Sequence, residues 1–189
     1  MKSRNFLIFW IGALAIGTVS CTGKPAAESS PEPGSGSAWK NAGPIGIPVS
    51  AIVELSDLYR APETYDVKIT VMEILRGAPS MNLLAKADAS NATPGEGFEY
   101  VLARVRFEYA ARGAPGNKTW ELDGKQFNAF SGEGKPYVSP SVVPPEPALR
   151  GTLRSGGSQE GWIAFAVAKE DKKPVMTFSP GNIWFQLYY

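Results

Sequence analysis

The stretch from Gly95 to Ala111 is the longest pattern in this sequence that fits only one kind of secondary structure. Apolar residues recur there at every second position, while Arg104, Arg106 and Glu108 take the positions between them. An extended chain places alternate side chains on opposite faces, whereas a helix would scatter the three charges around its surface. The pattern therefore predicts a long β-strand with one buried face. The residues expected on that face are Val101, Ala103, Val105, Phe107 and Tyr109.

Shorter runs with the same alternation occur on both sides of this stretch. Val49–Leu55 and Tyr65–Arg76 precede it, and Glu73 interrupts the apolar row of the second run. We expect Glu73 at a sheet edge or at a β-bulge, where its carboxylate can reach water. The residues of that run expected to face the core are Val67, Ile69, Val71 and Leu75. The later predicted strands are Lys118–Leu122, Gln126–Phe130, Tyr137–Val143, Leu149–Leu153, Glu160–Ala168, Val175–Phe178 and Ile183–Leu187.

Turn residues between these runs predict how some of the strands pair. Asp123-Gly124 is a hairpin signal, so the strands on either side of it are expected to be partners. The turn Ser155–Ser158 likewise predicts pairing of Leu149–Leu153 with Glu160–Ala168. The prolines at 144, 145 and 147 exclude a central strand and indicate an extended crossing at an edge.

One short helix is expected within Gly77–Glu96, where Met81, Leu84 and Ala85 have helical spacing. The remaining chain consists of short strands separated by turn residues. The sequence thus predicts an all-β fold of two packed antiparallel sheets, with a barrel as the alternative.

The N-terminus has the pattern of a secretory signal. Met1–Ser20 contains two basic residues and then an apolar run that is short for a membrane span, which needs about 20 residues. A small residue directly before Cys21 resembles the lipobox of bacterial lipoproteins, although Thr18 stands where Leu is usual. We predict lipid attachment at Cys21 and therefore an extracytoplasmic protein anchored to a bacterial membrane; simple secretion and an uncleaved anchor are the alternatives. Residues 21–48 are rich in Pro, Gly and Ser and are predicted to be a disordered tether for a domain at 49–189.

The composition excludes several classes of function. The sequence has no histidine and one cysteine, so neither a Ser-His-Asp triad nor a His-ligated metal site can be built. Its formal charge of +1 argues against a nucleic-acid partner. We expect no cofactor and no metal. Asp88, Ser90, Asn91 and Glu96 could supply oxygens to calcium, but capping and turn hydrogen bonds are the preferred interpretation.

Several motifs together resemble a group of uncharacterised bacterial secreted lipoproteins, over roughly Val49–Leu187. The resemblance implies an immunoglobulin-like β-sandwich, similar to that of the immunoprotective extracellular protein superfamily. It carries no catalytic residue with it. The matching features are Asp66–Arg76 followed by Gly77, Asn91, Pro94-Gly95, Phe98–Ala103, Val142-Val143-Pro144, Leu153, Gly156-Gly157, Glu160-Gly161-Trp162, Phe165 and Trp184-Phe185.

These features favour a non-enzymatic envelope module that binds a protein or peptide, or that acts as a spacer. Binding is expected through the loops Ala78–Glu96 and Ser139–Arg150, or by addition of a strand to a sheet edge. The alternative is carbohydrate binding, for which Trp120, Tyr188 and Tyr189 are the candidate contacts. Trp162 and Trp184 are expected in the core instead.

An enzyme using two carboxylates is the least favoured reading. Such an enzyme needs a pair of acids facing each other in a cleft. The acids of this sequence are mostly isolated in strands or turns, and we assign no catalytic residue.

Overall fold

Nine β-strands and one α-helix form the regular structure of residues 34–57, 60–113 and 119–189, which are the residues that this computed structural model describes. The helix, α1, comprises Ala78–Ala87 and confirms the helix expected within Gly77–Glu96. The strands are β1 (Val49–Asp57), β2 (Arg60–Arg76), β3 (Phe98–Ala111), β4 (Thr119–Asp123), β5 (Phe127–Phe130), β6 (Arg150–Arg154), β7 (Ser158–Ala168), β8 (Val175–Phe178) and β9 (Ile183–Gln186).

β3 lies inside a four-stranded antiparallel sheet with the strand order β1-β2-β3-β7. The five apolar residues predicted for its inner face are each no more than 2% exposed. Arg104, Arg106 and Glu108 lie on the opposite face, where Glu108 forms an ion pair with Lys68 of β2 at 3.0 Å. The period of two in the sequence therefore predicted both the strand and its buried face.

A second layer covers the inner face of this sheet. It consists of the antiparallel pair β4-β6 and the antiparallel sheet β5-β8-β9. Phe107 of the first layer contacts Trp120 of β4 and Phe178 of β8, with ring centroids 5.7 and 5.4 Å apart. The two layers thus enclose one hydrophobic core, as expected for an all-β fold of antiparallel sheets.

The bulge predicted near Glu73 is present. The pairing of β2 with β3 shifts register between Val71 and Glu73, and this shift reverses the alternation of side chains beyond it. Ile74 consequently returns to the core, whereas Leu75 faces the opposite side of the sheet. The expectation that Leu75 faces the core was wrong for this reason.

Both predicted hairpins were wrong. β4 pairs with β6 and β5 pairs with β8, so the strands on either side of Asp123-Gly124 are not partners. β6 and β7 are likewise not partners, since β6 pairs with β4 and β7 pairs with β3. Gly156 and Gly157 of the turn between them bond to Tyr109 of β3. Residues 137–143, also predicted as a strand, form no strand. They belong to the proline-containing connection from β5 to β6, which we call the crossing segment.

A smaller apolar cluster lies on the outer face of the four-stranded sheet. Leu84 of α1 is fully buried there against Tyr100 and Leu102 of β3. Trp162 and Val142 pack against the same cluster. The helix and the crossing segment therefore cover the end of this face that carries Leu75, Tyr100 and Leu102. Charged side chains, among them the pairs Lys68–Glu108 and Arg104–Glu160, occupy the rest of it.

Residues 34–48, which the sequence assigned to the tether, lie against the domain. Gly43 donates a hydrogen bond to Trp184 and accepts one from Gln186, and Gly36 accepts one from the amide of Trp184. The Trp39 indole lies beside Gly134. This segment thereby covers the outer edge of β9. Residues 1–33, and with them the predicted signal and Cys21, lie outside the described part of the chain.

Candidate functional site

A cavity of about 350 Å³ lies beside β7, at the edge where the two layers meet. We call it the β7 groove. Four consecutive residues of β7, 162–165, line it, so the cavity faces the edge of the strand and not one of its sides. Its other lining residues are Asp123, Gly124, Lys125, Phe127, Ser139, Pro140, Val142, Pro144, Ala148, Leu149 and Arg150.

The turn between β4 and β5 forms one wall of the groove and is held by a capping box. Asp123 accepts a hydrogen bond from the amide of Lys125 at 2.8 Å, and the side chain of Gln126 accepts one from the amide of Asp123. Gln126 also accepts a bond from the Trp120 indole and donates one to the carbonyl of Glu121. Local hydrogen bonding therefore fixes this wall independently of strand pairing.

The proline-containing crossing segment forms the opposite wall, and Asn91 attaches it to α1. The Asn91 side chain donates to the carbonyls of Leu84 and Val143, each at 2.9 Å, and accepts from the amide of Val143 at 2.7 Å. Val142 beside it packs into the outer apolar cluster. Asn91, which the resemblance included, is thus a structural link between the helix and the groove wall.

The remaining end of the groove is closed by residues 147–149, which pair with β7. Trp162 donates a backbone hydrogen bond to Pro147 at 2.8 Å and accepts one from Leu149 at 3.1 Å. Ala148 and Trp162 form a parallel bridge. Gly161 permits this approach, because a Cβ atom at that position would lie 2.5 Å from the backbone of Ala148 and Leu149.

The groove combines an apolar interior with charged side chains at its rim. Lys125 and Arg150 are exposed, and Arg150 forms an ion pair with Glu146 at 2.9 Å. Among the described residues that line the cavity, Asp123 is the single acid. This combination suits an apolar group of a ligand better than a reaction that needs two carboxylates.

The residues predicted for carbohydrate binding do not come together. Trp120 is only 4% exposed and packs in the core against the rings of Tyr65, Phe107 and Tyr109, so it is not a candidate ligand contact. Tyr189 is 85% exposed, but its hydroxyl accepts a bond from the amide of Ile74 at the β2 bulge. Tyr188 is half-buried.

Trp162 and Trp184 were expected in the core, and this expectation was wrong, because both are half-buried and lie outside the core between the layers. Trp162 lines the β7 groove, and Trp184 packs against Phe130 on the outside of the second layer, with tilted rings whose centroids are 5.0 Å apart. The tryptophans and the terminal tyrosines therefore form no continuous stacking platform among the described residues.

The oxygen-rich residues near the end of α1 are used for local hydrogen bonds. Asp88 accepts bonds from the amide and hydroxyl of Ser90 at 2.7 and 2.6 Å. These bonds, chiefly that of the hydroxyl, lower the pKa of the Asp88 carboxyl. Within the described ranges, no group of three or more Cys, Asp or Glu side chains is placed to hold a metal ion.

A charged surface covers the outer side of β1, β2 and β3. Asp66 and Arg112 form a two-pronged ion pair with contacts of 2.6 and 2.8 Å, and the hydrogen bonds from Arg112 lower the pKa of Asp66. Arg104 forms an ion pair with Glu160. These charges are largely paired with one another, so this surface presents no strong field of one sign.

The sequence indicated one wall of the groove and missed the others. Ser139–Arg150 was expected to be a recognition loop, and several of its residues line the cavity. Ala78–Glu96 instead packs through α1 on the outer face and touches the groove only through Asn91. The remaining walls gave no signal in the sequence, because they depend on which distant strands pair.

The fold and the groove together define an all-β protein of antiparallel layers with one short helix and an apolar site at a sheet edge. No helix in the described part of the chain has the length and apolar character that crossing a bilayer requires. No protein-family model matches the sequence, and no curated protein matches it either.

One solved structure is similar in part. It is that of ycdA, a proposed lipoprotein from Bacillus subtilis, with a TM-score of 0.47 and 14% sequence identity. The similarity covers 64% of this chain and 35% of that chain, so this chain spans about a third of the length of ycdA. At this level the likeness assigns neither a family nor a function.

Proposed function

We propose that this protein is a lipid-anchored, non-enzymatic module of the bacterial cell envelope that binds a protein partner in the β7 groove. The observation that carries the proposal is the groove itself. It is an apolar cavity of about 350 Å³ at the edge of a sheet, with walls fixed by hydrogen bonds and a rim of exposed charged side chains. Such a site can accept an anchoring side chain of a partner without rearrangement.

The lipid anchor is supported by the N-terminal sequence. The short apolar run and the small residue before Cys21 are typical of bacterial lipoproteins, in which the cysteine carries the lipid. Residue 36, which follows Cys21 in the chain, is already part of the folded domain, because Gly36 accepts a hydrogen bond from the amide of Trp184. Replacing Cys21 by Ala should move the protein from the detergent phase to the aqueous phase in a detergent-partition assay.

The immunoglobulin-like form of the sandwich is part of this proposal. The motif resemblance supports it, as do two antiparallel layers that share one core. In folds of this kind, function is carried by loops and edges attached to a rigid scaffold. The position of the groove at an edge agrees with that arrangement.

A non-enzymatic role is supported by the acids of the groove and the surface. A glycosidase-type mechanism needs two facing carboxyl groups, one of them with a raised pKa. The groove offers Asp123, whose side chain caps the adjacent turn. The pKa of Asp66 and that of Asp88 are both lowered, which is the direction opposite to that of a general acid.

Site-specific photo-crosslinking in intact cells tests partner binding. Lys125 at the groove rim would be replaced by the photoreactive amino acid p-benzoylphenylalanine in the full chain. Lys86, an exposed residue of α1, would carry the same replacement as the matched control. We expect a discrete adduct of higher mass from position 125 and none from position 86.

The outcomes separate binding from the two remaining roles. Absence of any adduct at position 125 would favour a spacer. Adducts of equal yield at both positions would indicate nonspecific proximity and contradict the groove as the site. An adduct that a glycosidase mixture removes would favour the carbohydrate alternative.

A further inference from the structure

The hydrogen bonds of β7 show which of its backbone groups point to the free edge. In an antiparallel pair, alternate residues bond to the partner strand and the others point away. The amide of Lys169 donates to Gly97, and Tyr109 donates to Gly157, so the odd-numbered residues of this strand face β3. Trp162 bonds instead to residues 147–149 on the other side. The backbone amides and carbonyls of the even-numbered residues of β7 therefore point to the free edge.

Ala164 is the next edge-facing residue after Trp162. It is half-buried and lines the β7 groove. Neither its amide nor its carbonyl forms a hydrogen bond with any residue in the described ranges, unlike those of Trp162. The amide and the carbonyl of Ala164, one donor and one acceptor, thus both border an apolar cavity. Such a pair is costly to leave unpaired and is well suited to another peptide group.

A segment of this chain already pairs with the free edge of β7 and shows how a bound peptide can pair with it. Residues 147–149 run parallel to β7 and form a bridge between Ala148 and Trp162. The chain then turns away into β6, which belongs to the other layer. The edge of β7 is therefore occupied up to Trp162 and is left without a strand at Ala164.

The side walls supply a place for one side chain of the ligand. Phe127, Val142 and Phe165 line the cavity around Ala164. Its volume of about 350 Å³ is at the lower end of ligand pockets and exceeds what a single aliphatic side chain needs. A residue of an extended ligand could enter it while its peptide groups remain at the strand edge.

We infer that the partner binds the β7 groove as a short extended peptide segment. Its backbone accepts a hydrogen bond from the amide of Ala164 and donates one to the carbonyl of Ala164, continuing the edge that residues 147–149 begin. One apolar side chain of the segment enters the groove. This inference rests on the proposed function, and it specifies that the partner is recognised through its main chain and one apolar anchor.

A peptide selection on the full chain tests this. A phage-displayed library of random decapeptides would be selected on the immobilised protein, with depletion on a Gly124→Leu variant. Gly124 lines the groove, and a Cβ atom there would lie at an ordinary 3.6 Å from Ile163, so the leucine takes up part of the cavity without a backbone clash. Gly95→Leu is the matched control, because a Cβ atom at Gly95 meets nothing within 4 Å.

The backbone hydrogen bonds at Ala164 are tested by changing the peptide and, separately, by changing the protein. Each selected peptide would be synthesised with single N-methylated residues, and we expect one position to weaken binding at least about tenfold. Ala164→Pro removes the edge-facing amide but no bond to β3, so it should weaken binding roughly threefold to tenfold while the unfolding midpoint stays close to that of the wild type.

Four results would overturn the inference. Selected peptides that tolerate N-methylation at every position would bind without strand pairing. Failure to select any peptide, with a crosslinked adduct at position 125 still present, would indicate a folded partner and leave the proposed function standing. Recovery of this chain itself as the adduct would assign the groove to self-association. Absence of both peptides and adducts would remove the inference and the proposed function together.

Discussion

The hydroxyl of Tyr109 is buried beside a cluster of aromatic rings and has no hydrogen-bond partner among the described residues. Its side chain is 2% exposed. Burial, and secondarily the negative charge of Glu63, raise the pKa of this tyrosine. An unpaired buried hydroxyl contributes little to stability, while its ring fills the core between Tyr65 and Trp120.

Tyr109→Phe should therefore stabilise the protein or leave it unchanged at neutral pH, within about 1 kcal/mol. The pH dependence follows from the sign of the shift. A tyrosine whose pKa is higher in the folded state favours folding below its unfolded pKa, and this contribution is lost as pH rises through the folded pKa. Urea unfolding between about pH 9 and pH 11 should thus show a smaller loss of unfolding free energy in the variant than in the wild type.

Tyr100→Phe is the matched control for this substitution. The hydroxyl of Tyr100 is also in a buried residue, but it donates a hydrogen bond to the carbonyl of Ala92 at 3.0 Å. Removing it should cost about 1 kcal/mol at neutral pH. If Tyr109→Phe costs as much as Tyr100→Phe, the Tyr109 hydroxyl has a partner and its assignment as unpaired is incorrect.

At the level of elements, Gly161 determines how closely the segment of residues 147–149 can approach β7. A methyl group at Gly161 would lie 2.5 Å from backbone atoms of Ala148 and Leu149, which cannot move aside as a flexible side chain would. The sequence offers no direct sign of this role, because a glycine within a strand pattern indicates only that something approaches closely.

Gly161→Ala should lower the free energy of unfolding by about 2–3 kcal/mol, because the backbone of residues 147–149 must shift. Gly95→Ala is the control and should change stability by less than about 0.5 kcal/mol. Hydrogen exchange would localise the effect: the amides of Leu149 and Trp162 should exchange faster in Gly161→Ala alone. Unchanged protection of both amides would show that the bridge does not depend on this glycine.

The elements that the sequence predicted are those whose pattern is local. β3 was predicted from alternation over consecutive residues, and the helix was predicted from the spacing of Met81 and Leu84. Strand partners were not predictable in this way. Asp123-Gly124 has the residues of a hairpin turn, but here it forms a capped turn that carries the chain from β4 to β5 in a different sheet.

The candidate site was predictable only in part, for the same reason. Ser139–Arg150 was identified from its prolines, which exclude a strand. The unpaired amide of Ala164 depends on which neighbour lies on each side of β7, and that is decided by pairing between distant parts of the chain. Leu75 shows the same limit, because a single extra residue at the bulge reverses the face of everything that follows.

For the molecule as a whole, the N-terminal part of the described chain completes the second layer. Residues 36–43 bond to Trp184 and Gln186 of β9, an edge strand that would otherwise expose unpaired amides and carbonyls. Exposed edges of this kind promote association between molecules.

A chain shortened to begin at Val49 should therefore self-associate, whereas one that begins at Gly34 should not. Light scattering coupled to size-exclusion chromatography would measure the masses over a range of concentrations. The shorter chain is also expected to unfold at a lower urea concentration, because it loses three backbone hydrogen bonds to β9 and the burial of Ala42. Equal masses and equal midpoints would show that residues 34–48 are dispensable.

The position of residues 34–48 on β9 also determines where the protein can be immobilised for a binding experiment. Residues 36–43 run along β9 at one end of the sheet β5-β8-β9, while the β7 groove borders Phe127 of β5 at the other end. Two strand spacings, about 10 Å, separate these ends. We therefore expect a biotin coupled ahead of residue 34 to leave the groove accessible, so that the immobilised protein can be used for the binding measurements on that surface.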